Sequence, residues 1–107
     1  MNNYNCFELA TKYTKGQKPE VSMEEGTFER ELDQNFRQTS EMINRKTIVA
    51  MKDDREYIHA ALFYGKSKDG TWYFLSKNGK QDPNFFNMKE LRTIYHATKS
   101  EFWIPKK

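Results

Sequence analysis

The chain has 107 residues, 18 Lys/Arg against 15 Asp/Glu, and one cysteine. That length bounds it to one domain, residues 1–107, whose core removes roughly 65% of the unfolded chain's surface from water. A lone Cys6 excludes an internal disulfide, and no apolar run approaches the roughly 20 residues needed to cross a bilayer. Mean hydropathy is −1.00, yet 15% of the residues are aromatic, and each ring buries enough area to build a core that the aliphatic residues alone would not. The chain therefore reads as folded. Its N-terminal MNNYNCFELA has no basic segment followed by an apolar one, so a soluble, cytoplasmic protein is expected. Residues 1–45 carry six Lys/Arg against eight Asp/Glu, and residues 46–107 carry twelve against seven. The second half is the basic one, which favours anionic partners there, although scattered lysines also serve solubility alone.

From Asn5 to Thr14, Cys6, Leu9, Ala10 and Tyr13 follow the spacing of one helix face, and Gly16 provides a stop. Lys15 to Val21 reads as a loop. A second helix starts at Ser22, which forms a capping-box pattern with Glu25, or at Thr27. The stripe Phe28, Leu32, Phe36, Thr39, Ile43 carries that helix to Ile43, with Glu41 and Arg45 as an i, i+4 ion pair on its polar side.

Lys46 to Lys52 is β-branched and compact and reads as a strand, followed by a charged turn over Asp53, Asp54, Arg55 and Glu56. Tyr57 to Tyr64 reads as the next strand. Helix is the competing reading, because Ala60 and Ala61 favour it and Asp54 and Gly65 would serve as cap and stop. After a loop from Gly65 to Gly70, Thr71 to Leu75 is a third strand, with Trp72 and Phe74 on one face and Tyr73 and Leu75 on the other. One face takes a helical layer, and the other is left to more of the chain, a second copy or a ligand.

Asn78-Gly79 closes that strand, and Pro83 argues against a long central strand between Lys80 and Phe86. A last helix starts at Asn87, with Glu90 completing a capping box, Phe86 and Leu91 forming a hydrophobic staple, and Met88, Leu91, Tyr95 and Thr98 lining one face. Phe102-Trp103-Ile104 forms a short edge strand blunted by Pro105 and the terminal lysines. The expected class is α+β: two N-terminal helices packed on a small antiparallel three-stranded meander, then a C-terminal helix and a short edge strand.

No catalytic, metal or cofactor pattern stands out. His59 sits in an apolar run and reads as a core residue, while His96 has neither a nucleophile nor an oxyanion site near it in sequence. Cys6 belongs to the apolar stripe of the first helix. Gly65-Lys66-Ser67 lacks the first glycine and the following helix of a P-loop, and Asp53-Asp54 and Asp69-Gly70 are too isolated for an EF-hand.

Cations interleaved with aromatics remain. Lys66 and Lys68 sit in one loop, and Lys77 and Lys80 bracket the Asn-Gly turn roughly 20 Å away, at the other end of the strand carrying Trp72 and Tyr73. An aromatic strand with cations at both ends suits stacked bases and neutralised phosphates. The hairpin also suits the wing of a winged-helix DNA binder, on element order alone. With thirteen lysines against five arginines, salt-sensitive binding of low sequence specificity is favoured over base-edge readout. The expected function is non-catalytic nucleic-acid binding, DNA being the leading ligand, in a regulatory or accessory protein. The rival is a protein-binding module or homodimer, such as a small inhibitor or regulator carried by a mobile element, or an accessory subunit. It would dock through the spare sheet face with Tyr64, Trp72, Tyr73 and Trp103 as anchors.

Overall fold

The computed structural model describes residues 4–106. Helix α1 (Cys6–Thr14) is capped at both ends as its sequence requires. Asn5 Oδ1 accepts from the Glu8 amide at 3.1 Å, and the same side chain holds both the amide and the carbonyl of Met23. At the other end Gly16, with φ +69°, and Gln17 donate to the carbonyls of Tyr13 and Lys12, which is a Schellman stop. Buried Glu8 accepts from the amides of Glu20 and Val21, so the connecting loop is tied back to the helix.

Helix α2 spans Glu25–Asn35, starting between the two expected caps with Glu24 as N-cap. It ends eight residues before Ile43. Phe28, Leu32 and Phe36 are all buried, but the stripe breaks there: Phe36 opens strand β1 (Phe36–Gln38), and Ile43 is 41% exposed. Two causes combine. Arg37 and Gln38 find backbone partners opposite Ile104 and Trp103, and Thr39 and Ser40 are weak helix formers whose hydroxyls compete for the backbone. The Thr39 hydroxyl accepts from the Glu41 amide, while buried Thr47 accepts from the Ile43 amide and donates to the Glu41 carbonyl. The expected Glu41–Arg45 pair is replaced by Arg37–Glu41, at 3.6 Å.

The remaining elements are β2 (Ile48–Asp53), β3 (Glu56–Lys66), β4 (Trp72–Ser76), β5 (Asn84–Asn87), α3 (Met88–Ile94) and β6 (Lys99–Pro105). With β1 these five strands form one six-stranded antiparallel sheet in the order β1-β6-β2-β3-β4-β5. The meander β2-β3-β4 is its centre, but the sheet is twice as wide as three strands. Residues 57–64 are strand, paired on both sides, so the helical reading is set aside. The C-terminal segment is interior, not an edge, because β1 covers its outer side. Lys107, one of the terminal lysines expected to blunt it, lies outside the described residues. Asn87 and Glu90 form the expected capping box.

Both sheet faces are covered by the chain itself. On one, α1 and α2 bring Phe7, Leu9, Ala10, Phe28 and Leu32 onto Ile48, Ala50, Tyr57, Ala60, Leu62, Leu75 and Trp103. On the other, Leu91 of α3 and Met42 of the loop after β1 pack with Val49, Met51, Ala61, Phe63 and Phe74. No helix among the described residues is long and apolar enough to cross a membrane. Thr47→Val removes the hydroxyl that organises the loop between β1 and β2 and leaves two backbone groups unpaired. It should cost about 1–3 kcal/mol in urea denaturation, whereas Ser40→Ala on the exposed part of the same loop should fall within about 0.5 kcal/mol.

Candidate nucleic-acid interface

Strand β3 carries two bulges that decide which side chains share a face. Met51 pairs with His59 and Lys52 with Tyr57, so Ile58 is the extra residue, and Tyr57 joins Ala60 on the α1 side despite their odd spacing. Farther along, Phe63 pairs with Phe74 and Gly65 with Tyr73, leaving Tyr64 as the extra residue. Gly65 has no side chain to fill the space opposite Tyr73. The result is a shallow depression of about 380 Å³ lined by Asn44, Tyr64, Gly65, Lys66, Ser67, Tyr73 and Phe85.

The rings and cations around it are ordered. Tyr64 meets Phe85 edge-on at 4.9 Å between centroids, and the Arg45 guanidinium lies 5.0 Å from the Tyr64 centroid. Phe85 is 49% exposed, which is unusual for a phenylalanine on a strand. Arg45 is presented from a turn in which its own φ is +62°, with its amide bonded to the Phe63 carbonyl. The loop after β3 is also built. Asp69 accepts from the Ser67 hydroxyl and from the Thr71 amide, bonds that pull its carboxyl down to about 2 and order the segment displaying Lys66 and Lys68.

The six residues singled out from sequence separate in space. Lys66 and Lys68 are exposed at the rim or just beyond it, and Tyr73 is half-buried in the depression. Trp72, 39% exposed, lies on the opposite face, edge-on to Phe63 at 5.7 Å, so it cannot share a stacking platform with Tyr73. Lys77 is 2% exposed: its ammonium donates to the Gly79 carbonyl at 2.6 Å and lies 5.5 Å from the Tyr4 ring centroid. Such a group braces the Asn-Gly turn and does not reach an external phosphate. Lys80 is exposed in that turn, at the far end of β4 from Lys66. Asn44, Arg45 and Phe85 were missed, and Tyr64 was named only as an anchor of the rival protein dock. Phe85 required the β4–β5 pairing, and Arg45 had been assigned to a longer helix.

Three groups that could carry chemistry, His59, Cys6 and Glu101, are held by contacts within the fold. Buried His59 stacks on Tyr95 at 3.7 Å and bonds Ser76 Oγ through Nε2 at 2.7 Å. Ser76 and Tyr95 both donate to Asn78 Oδ1, so Ser76 must accept from His59, the reverse of what an activated nucleophile needs. Burial pushes the Cys6 thiol up, away from a reactive thiolate. Glu101 is buried, which alone would raise its carboxyl; donation from Tyr57 at 2.7 Å and Trp103 at 3.1 Å, with Lys52 and Lys99 nearby, outweighs this and holds it below the usual range. Among the described residues no three His, Cys, Asp or Glu side chains converge closely enough to hold a metal ion.

Burial lowers the His59 imidazole to about 3 from 6.5. Below pH 6.5 the unfolded chain takes up a proton that the folded chain refuses, so stability is full above 6.5 and falls as pH drops toward 3. Between 6.5 and about 5, above the carboxylate range, unfolding free energy should fall by up to about 1.4 kcal/mol per pH unit. His59→Gln should flatten that slope in denaturant titrations at a series of pH values. No protein-family model matches the chain, and neither a curated protein nor a solved structure matches it at a significant level.

Proposed function

We propose that this protein binds an unpaired nucleic-acid strand, without catalysis, at the depression formed by Tyr64, Tyr73 and Phe85. The observation that carries the reading is Phe85: a half-exposed ring beside two tyrosines, with Arg45 over Tyr64 and Lys66 at the rim. Unpaired bases stack on aromatic and guanidinium planes while lysines neutralise phosphate, and such sites tolerate many sequences because every base has a π face. DNA remains the ligand to try first. A winged-helix mode has less support, since α2 ends in a strand and its exposed face alternates Glu29, Arg30 and Asp33.

Docking of a protein on a spare apolar sheet face has less support, because layers of the chain itself pack on both faces. Strand addition by a second copy at β5 is also disfavoured. The amides of Phe85 and Asn87 already donate to Asn84 Oδ1 and Glu90 Oε1, each at 2.8 Å.

Fluorescence anisotropy with labelled single-stranded and duplex DNA, at low and at physiological salt, tests the reading. Binding should favour the single strand and weaken steeply with salt. Phe85→Ala should weaken it about tenfold or more, and Lys66→Glu with Lys68→Glu should weaken it further and reduce the salt slope. Trp72→Ala should leave affinity unchanged. Equal binding by the Phe85 variant, or none by the parent at low salt, would overturn the assignment.

A further inference from the structure

We infer that the binding surface continues past Tyr64 to a second base-sized subsite at the end of α1, so that the ligand is a run of several unpaired nucleotides. This rests on the proposed function and deepens it. Tyr13, in the last turn of α1, meets Tyr64 edge-on at 6.2 Å between centroids. The Schellman stop at Gly16 then folds the chain back, and Tyr13, Gly16, Gln17, Lys18 and Pro19 line a second shallow depression of about 470 Å³. Tyr13, which lines this depression, thus touches Tyr64, which lines the first, and Arg45 stands over Tyr64.

The spacing and tilt of the rings select the ligand. Successive centroids from Tyr13 through Tyr64 to Phe85 are 6.2 and 4.9 Å apart, both longer than the roughly 3.4 Å rise per nucleotide of a stacked strand. Neighbouring rings are tilted by 64° and 63°, so no continuous base stack lies flat on all three. Bases splayed apart, each against its own ring or against the Arg45 guanidinium, satisfy both conditions, and a duplex satisfies neither. Cations are available at both ends of the row, with exposed Lys18 beside Tyr13 and exposed Lys66 beside Tyr73, as a backbone crossing the whole surface requires. Joining the two subsites by one strand makes occupancy of the second intramolecular.

The test is the length dependence of binding, read by anisotropy with labelled oligothymidylates of about two to eight nucleotides, bracketing the smaller known site sizes. The parent should gain affinity with length and then level off. Tyr13→Ala should bind the longest strand about tenfold more weakly and lower the ratio of long-strand to short-strand affinity. Lys18→Glu, on an exposed loop, decides the matter if Tyr13→Ala fails to fold: the ratio of long-strand to short-strand affinity should fall several-fold. If that ratio stays at the parent's value in Lys18→Glu and in any folded Tyr13→Ala, the second subsite is overturned and the first stands. If no strand of any length binds at low salt, the subsite and the proposed function fail together.

Discussion

The architecture depends on β3 being buried on both faces. Tyr57, Ala60 and Leu62 face the layer of α1 and α2, while His59, Ala61 and Phe63 face the layer that contains α3. Small side chains at Ala50 and Ala60 keep the sheet thin on the α1 side, which lets α1 approach β3 closely and brings Leu9 and Ala10 into the core. Buried His59 is tolerated in that stretch because Ser76 and Asn78 extend its hydrogen bond outward to the Asn-Gly turn. The same strand takes two extra residues, Ile58 and Tyr64, and the second of them lines the aromatic depression beside Gly65.

Local signals in the sequence were legible and remote ones were not. Asn5, Gly16 and the Asn87–Glu90 box act within a few residues of themselves, and each works as its chemistry dictates. The meander was readable because its strands are consecutive and joined by short turns. Strand β1 was not, since Phe36 continues the helical spacing of Phe28 and Leu32 into a segment whose partner, Pro105, lies 69 positions away. The pairing that converts helix into strand there is a tertiary effect no local period contains. For the same reason Phe102–Ile104 looked like an edge: nothing nearby in sequence indicates that β1 would cover it.

The candidate site divides along the same line. Lys66, Lys68 and Tyr73 belong to one hairpin and were found together. Lys77 was read as a turn cation, but the chain folds Tyr4 over it and the turn takes its ammonium internally. Trp72 was grouped with Tyr73 by adjacency, although adjacent strand residues point to opposite faces. The rings that do surround Tyr73 come from β3 and β5, and the cation over Tyr64 comes from the loop before β2. Three remote segments meet there only after the sheet has assembled.

A chemical-shift titration of isotope-labelled protein with an unlabelled oligothymidylate tests the central claim most directly, because it reports where a strand binds as well as whether it does. The account predicts shifts concentrated at the amides of Arg45, Gly65, Lys66, Tyr73 and Phe85, with the Trp72 indole unmoved on the far face. Shifts centred instead on Trp72, Met88 and Phe102, or on the turn from Asn78 to Lys80, would contradict it.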